Sequence, residues 1–501
     1  MLARALTRLT LWVATAATVL AGHSFTIVTY NVENLHDADG VAVYDDFQPE
    51  LYSHRHVITK VRNVASILSR FRQGEGPDIV LLQEIEIDQT PGAADWDQAA
   101  WLEATRGVTL ASLAEMATLP EVWRDAPAEA WLLAALREAG MTEYHVYSGA
   151  DEPSSANADS RRAIKCVTLS KYEATAVRRY AIESARNILE TEFTIDGHSL
   201  YVFNNHWKSG AGSEQMEVLR IQNATVLKER LDALLAADAG ADIVIGGDFN
   251  AHYNQKARYP EMPRTSMNDV LQAQGSEKAL QAGKARFYNL WFELPPPVRG
   301  SDVYRGEWGT LMNMVVSRGL YDWAGVQYQD NSFRVARLPG VNADAALAPR
   351  RWDGGGPVGG GYSDHLPIYA HFRTVDANRA DMGMPLENPS DETINGDVYR
   401  VNYAGVDLNQ AVDIDALPDS VDLQDGSWSG KLFLVEGSSI AGRRVKVRVR
   451  GQVYDIYAPQ REVIDELKAQ HASNRRVKFY GELGTYKGSW QFVVQDISWV
   501  P

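Results

Sequence analysis

Five separated segments of this chain join short apolar runs to residues of the kinds that hold hard metal ions or move protons. Thr29-Tyr30-Asn31-Val32-Glu33-Asn34 follows Phe25–Val28, and Gln83-Glu84 follows Ile79–Leu82. Asn205-His206-Trp207-Lys208 closes Leu200–Phe203, Gly246-Gly247-Asp248-Phe249-Asn250 follows Ile243–Ile245, and Ser363-Asp364-His365 precedes Leu366–His371. If these strands sit in neighbouring sheets, one rim gathers Glu84, Asp248 and Asp364 with Asn31, Asn250, His206 and His365. Carboxylate and amide oxygens suit Mg2+, Mn2+ or Ca2+ far better than zinc or copper. Two imidazoles beside such an ion suit phosphoryl chemistry, in which one group activates water and another serves the leaving group. A single Asp or Asn at a strand end is usually a turn or cap residue. The joint occurrence carries the reading.

The elements that must position these residues alternate up to about His371. Short β-rich runs at Phe25–Thr29, Ile79–Leu82, Ile164–Leu169, Leu200–Phe203, Ile243–Ile245, Met314–Ser317 and Pro367–His371 are separated by helical stretches. Val57, Val61, Val64, Leu68 and Phe71 recur at helical spacing, as do Leu227, Leu231, Leu234 and Leu235. Interleaving of this kind predicts a layered α/β domain over 22–374. Residues 88–140, rich in Ala, Leu, Trp and Glu, read as an inserted helical pair. Residues 375–427 carry several prolines and many Asp, and read as an acidic linker. The run Gly354–Gly361 lacks the Gly-Lys-Ser/Thr ending of a P-loop and reads as a mobile loop leading into Ser363.

Length and composition set the frame. The 501 residues exceed a usual single domain, and 45% hydrophobic with 23% charged residues exclude a mainly disordered or fibrous chain. One cysteine, Cys166, excludes an internal disulfide framework and a Cys-based zinc cage; its apolar neighbours mark it as a buried thiol. Residues 1–21 read as a secretory signal, with Arg4 and Arg8 before an apolar run from Leu9 to Ala21. That run is too short to span a bilayer, so no stable membrane insertion is expected after its removal, and the expected location is secreted or periplasmic. The net charge of −16 argues against a general nucleic-acid coat protein.

Asn31 with Glu33, Gln83-Glu84, Gly247-Asp248-Phe249-Asn250 and Ser363-Asp364-His365, in this order, resemble the endonuclease/exonuclease/phosphatase superfamily, over roughly Ser24–Arg373. The resemblance implies an α/β sandwich with two mixed β-sheets flanked by helices. It implies Glu84 as the principal metal ligand, with Asn31 and Asp364 close to the ion, which is expected to be Mg2+ (or Mn2+, with Ca2+ as a further option). His206 and His365 would flank the scissile phosphate, Asp248 would orient or deprotonate the attacking water, and Asn250 would hold the phosphate or the nucleophile. Arg162 resembles a cleft-bordering Arg of the family. Asn205 and Lys208 are candidate substrate contacts. The family usually carries an Asp where Met312 stands, an Asp that orients the last His. Met312 therefore deprives His365 of that partner unless another acceptor replaces it.

Residues 428–501 turn β-rich, with one helix near Arg461–Gln470, and are similar to an OB-fold. From Gly430 to Pro501 there are 12 Lys and Arg against 7 Asp and Glu, a net of +5. Arg444, Lys446 and Arg448 alternate along a strand, while Tyr486 and Trp490 are candidate stacking platforms for single-stranded bases, as Tyr454 and Phe479 also would be. The expected function is that of a secreted, divalent-metal-dependent phosphodiesterase, a nuclease with DNA (or RNA) as partner. The alternatives are a lipid phosphodiesterase or phosphatase of the same fold, and a catalytically weakened nucleic-acid-binding protein.

Overall fold

The computed structural model describes residues 22–90, 96–150, 162–182, 184–442 and 445–501. The expected signal, 1–21, and Arg444 lie outside the described residues.

Alternation along the strands sets the layering. In β1 (Ser24–Leu35), Phe25 and Ile27 pack on one face and Val28, Tyr30 and Val32 on the other. A strand apolar on both faces must be covered on both. β2 (Ile79–Glu86) repeats the pattern and lies parallel to β1. The helix His54–Leu68 that connects them covers the outer face through Val57, Val61, Val64 and Leu68. With β3 (His145–Ser148) and β4 (Ile164–Ser170), the first sheet has the order Asp322–Tyr328, Ile368–Gly383, β1, β2, β4, β3.

The second sheet begins with β5 (Ala174–Tyr180), β6 (Ile188–Ile195), β7 (His198–His206) and β8 (Ile243–Asp248). It continues through Met312–Ser317, Phe287–Asn289 and Ala273–Gln274. The two sheets face each other across a shared core in which Ile27, Leu81, Val202, Val244, Met314 and Phe372 meet. The long helix Glu214–Ala237 covers the outer face of the second sheet, with Leu227 and Leu231 in one cluster with Phe203 and Ile245. The expected α/β sandwich with two mixed sheets is the observed fold.

Three sequence expectations change. The insertion holds four short helices, Gln98–Ala104, Leu110–Ala114, Glu121–Arg124 and Ala128–Glu138, not a pair. Pro120 and Pro127 each stand at a helix start, where proline ends one element and opens the next. Residues 375–427 are no free linker. The strand Ile368–Gly383 runs through the expected boundary, Glu392 meets Arg299 at 3.1 Å, and Trp308 N donates to Tyr399 O at 2.8 Å. The glycine run 354–361 is held rather than mobile: Asn63 Nδ2 donates to Gly361 O at 2.7 Å and His56 Nε2 lies 3.0 Å from Gly356 O.

The C-terminal unit is a closed five-stranded OB-like barrel, Leu432–Ile440 pairing with both Lys446–Val449 and Arg476–Tyr486 to complete the ring. Tyr454 and Phe479 fill its core, so neither is a stacking platform. The barrel sits on the sandwich. Ala345 N donates to Glu482 at 2.6 Å, Lys487 N to Asp353 at 3.2 Å, and Arg350 Nη2 to Ser429 Oγ at 2.8 Å.

Between the apolar core and the strand ends lies a buried polar layer. Gln83 Nε2 donates to Asn204 Oδ1 at 2.7 Å, and Asn204 Nδ2 to Leu82 O and Val167 O at 3.1 and 3.0 Å. Most buried polar groups take such partners. Above this floor β8 ends in Gly246-Gly247-Asp248. A Cβ on Gly247, whose φ is +138°, would lie 2.0 Å from Asn205 O. Replacing Gly247 with Ala is expected to cost about 3 kcal/mol or more, since backbone must move. Urea unfolding of Gly247→Ala checks this; a loss under about 0.5 kcal/mol would contradict it.

Candidate active site

Strand parity carries most of the expected rim to one place. On β7, Leu200 and Val202 point between the sheets, and His206 continues that face. On β8, Val244 does the same and Asp248 continues it. On β1, Asn31 shares parity with Phe25 and Ile27. Glu84 does not obey this rule. Parity would send it outward with Val80 and Leu82, but β2 has a register shift between Leu82 and Ile85, and Glu84 has φ +66°. β1 shifts register between Asn31 and Leu35, where Glu33 and Asn34 also have positive φ. Bulges re-aim side chains in this way, and Glu84 is turned to the rim, where Asn34 N holds its Oε2 at 3.0 Å.

Asp248 Oδ2 is the centre of the arrangement. Asn31 Nδ2 donates to it at 3.0 Å and to Glu84 Oε1 at 3.0 Å. His206 Nε2 and His365 Nε2 each lie 3.6 Å from the same oxygen, on two sides. Its other oxygen accepts from Asn250 N at 2.8 Å. Glu84, His206 and Asp248 each offer one donor atom within 4.8 Å of the others. Two carboxylates and one imidazole at a buried corner fit a hard divalent cation. The buried Nδ1 of His206 and Nε2 of His365 have no hydrogen-bond partner among the described residues.

The surroundings shift the two imidazoles in opposite directions. Burial, with Arg186 and His365 adding to it, holds His206 well below its ordinary value, which favours the neutral ring. Burial also opposes the charge on His365, but Asp364, Asp248 and Asp302 outweigh it and raise His365 well above the ordinary range. Asp364 Oδ1 lies 2.8 Å from His365 Nδ1. Burial would raise Asp364, yet the charge and hydrogen bond of His365, with Arg351 and Lys60, bring it down to about 2.

The site residues read from sequence divide accordingly. Asn31, Glu84, His206, Asp248 and His365 converge as expected, and Asn250 joins them through its backbone while its Nδ2 donates to Trp207 O at 3.2 Å. Asp364 places its carboxylate on His365 and on Arg351, the latter at 3.4 Å, and its charge also acts on Glu84. Asn205 is corrected from a substrate contact, because parity points it away from the rim. Its side chain is buried against Gly246 O at 3.2 Å and Trp207 Nε1 at 3.1 Å. Arg162 is likewise redirected, its guanidinium donating to Asn187 Oδ1 and Ile182 O. Lys208 is half-buried, its backbone held by Asn223 and Arg220. On the barrel, Lys446 is spent on Asp455 at 2.9 Å, Trp490 packs partly against the core, and Arg448 and Tyr486 are exposed.

Met312 lies in register opposite Asp248, fully buried in the inter-sheet core. The carboxylate it lacks is supplied next in sequence, by Asp364. A second, Asp302, which sequence reasoning missed, is brought to His365 by an isolated β-bridge. Lys60 and Arg351 were also missed. Lys60 Nζ donates to Tyr362 O at 2.7 Å and Glu33 O at 3.1 Å, and burial lowers it to about 8. Arg351 reaches Glu33 at 2.7 Å. No spacing in the sequence links these residues to the strand-end motifs. A cavity of about 670 Å³ opens beside Asn250 and Asp302, lined also by Arg258, Tyr259, Tyr304 and Arg305.

A sandwich that ends in two carboxylates and two imidazoles has the donor set that metal-assisted phosphodiester hydrolysis requires. Residues 161–374 match the Endonuclease/Exonuclease/phosphatase family. No curated protein matches the chain. Among solved structures, that of D. rerio TDP2 complexed with single strand DNA product is 15% identical, with TM-score 0.37, covering 70% of this chain and 99% of that one. Truncated Caenorhabditis elegans TDP2 is 14% identical (TM-score 0.37, 70% and 98% covered). A family protein from Bacteroides thetaiotaomicron is 11% identical (TM-score 0.38, 73% and 99% covered).

The Asp364–His365 pair has a readable consequence. With His365 raised, its proton is retained above neutral pH and lost only as pH rises through the raised value. Asp364→Asn removes the nearest negative charge, so the basic limb of the pH–rate profile is expected to move toward lower pH, with kcat down about 100-fold or more. An unmoved basic limb in that variant would show that Asp364 does not set the ionisation of His365.

Proposed function

We propose that this chain is an exported nuclease that hydrolyses phosphodiester bonds in DNA with Mg2+ or Mn2+. The observation that carries the reading is one carboxylate oxygen, of Asp248, that lies 3.6 Å from both His206 Nε2 and His365 Nε2 and shares Asn31 Nδ2 with Glu84. Groups whose surroundings drive their protonation apart divide acid and base duties. Asp248 and neutral His206 orient the attacking water and accept its proton. Cationic His365, oriented by Asp364, donates to the phosphoryl or leaving oxygen. A divalent ion held by Glu84 and its neighbours would neutralise phosphate charge.

A polymeric substrate is supported by what surrounds this centre. Tyr259, Tyr304, Arg258 and Arg305 beside Asn250 offer flat faces and positive charge to bases and phosphates. On the other side Arg351, 69% exposed, leads toward Trp352 and Tyr486 at the groove between sandwich and barrel. The barrel, at net +5 in a chain of −16, would concentrate a polyanion near an otherwise acidic body. Export rests on Arg4, Arg8 and the apolar run that follows; among the described residues no helix is long and apolar enough to cross a membrane.

Supercoiled plasmid incubated with Mg2+ or Mn2+ should be nicked by the wild type, with rates at least about 1,000-fold lower for Glu84→Gln and His206→Ala. Equal rates in all three would end the assignment. Sphingomyelin and inositol phosphates belong in the same assay. Turnover of those without nicking would move the substrate to a lipid head group or a phosphomonoester.

A further inference from the structure

A second group of carboxylates lies where the loops after β1 and β2 meet, apart from the catalytic cluster. One oxygen from each of Asp37, Asp39 and Asp88 lies within 4.8 Å of the others. The backbone already uses one oxygen of each: Asp37 Oδ1 accepts from Asp39 N at 3.0 Å, Asp39 Oδ1 from Val41 N at 2.7 Å and Asp88 Oδ1 from Thr90 N at 2.7 Å, while Asp39 Oδ2 accepts from Thr90 Oγ1. Asp37 and Asp88 each have Oδ2 left. Asp37 and Asp88 are 5% and 6% exposed, and both Oδ2 atoms are buried with no hydrogen-bond partner among the described residues. Glu86 stands against the same loop, accepting from Asp37 N at 2.8 Å. The basic side chains near it face other carboxylates: His36 lies on Glu86 at 2.7 Å and Lys165 on Glu129 at 2.9 Å.

Buried carboxylate oxygens without a donor are costly unless a cation or a proton meets them. We propose that Asp37, Asp39 and Asp88 form a second metal site that binds Ca2+. The all-oxygen donor set is that of a hard cation. Two ligands come from a short loop, Asp37-Ala38-Asp39-Gly40, and the third from a neighbouring loop, an irregular shell that Ca2+ accepts more readily than Mg2+. The ion would tie the end of β1 to the end of β2, three and four residues beyond Asn34 and Glu84, where both strands depart from regular pairing.

The test uses the full chain, stripped with chelator and titrated with CaCl2, in wild type, Glu84→Gln, Asp37→Asn and Asp88→Asn. Thermal unfolding of the wild type and of Glu84→Gln should rise by about 5 °C at saturating Ca2+. Asp37→Asn and Asp88→Asn should show no such rise, and should melt no lower than the wild type in chelator because a buried repulsion has been relieved. Equilibrium dialysis with radioactive calcium should find one ion on Glu84→Gln that is absent from the Glu84→Gln/Asp37→Asn double variant. A wild-type response abolished by Glu84→Gln would assign all the calcium to the catalytic cluster and overturn the proposal. So would no wild-type response, which would mean that the carboxylates share protons, or an undiminished response in both Asn variants. None of these readouts depends on nuclease activity.

Discussion

The catalytic end of this protein depends on two adjacent parallel strands leaving their regular pairing at the same level. β1 and β2 hold register through Asn31 and Gln83 and then slip, with Glu33, Asn34 and Glu84 all at positive φ. Without the slip, Glu84 would follow Val80 and Leu82 into the helix-covered face. With it, a carboxylate reaches the space between the sheets and meets residues that arrive there by plain alternation. Conformations that cost about 1–3 kcal/mol each persist only where the surroundings hold them. Here Asn34 N on Glu84 and Asn31 Nδ2 on both carboxylates supply that hold.

Charge is graded around this point. Beneath it, Gln83 and Asn204 form a neutral hydrogen-bonded floor that separates the apolar core from the ionised rim. Above it, Lys60, Arg351 and cationic His365 face Glu33, Glu84, Asp248 and Asp364. The loop carrying Arg351 through Asp364 is fixed on one side by the helix His54–Leu68 and on the other by the barrel hairpin, since Asp353 accepts from Lys487 N. The barrel thus bears on the loop that orients His365, and is more than an appended module. The segment once read as a linker serves the same end, lying along the sandwich before it enters the barrel through Tyr403, which meets Asp344 at 3.2 Å.

Much of this was legible in the order of residues. The two-sided apolar strands, the covering helices and five strand-end motifs pointed to the sandwich and to Asn31, Glu84, His206, Asp248 and His365. Local pattern works there because alternation and helical periodicity are local properties. It misled where a residue shared a motif but not a face. Asn205 lies next to His206 in sequence and points the other way, and Gln83 next to Glu84 is part of the floor. The place of Met312 suggested a lost partner for His365. The carboxylate had moved to Asp364, whose hydrogen bond to its own neighbour no alignment of motifs displays.

The sequence by itself determined the layered fold, the hard-ligand chemistry and the acidic body with a basic tail, because these follow from side-chain type and periodicity. Tertiary structure decided the rest: which of the two imidazoles carries charge, that Asp364 serves His365, that Asp302, Lys60 and Arg351 belong to the site, and that Asp37 and Asp88 share a buried corner. Each of those depends on distance and burial between residues remote in the chain. Electrostatic energy in a protein interior varies with both, and neither is written in local order.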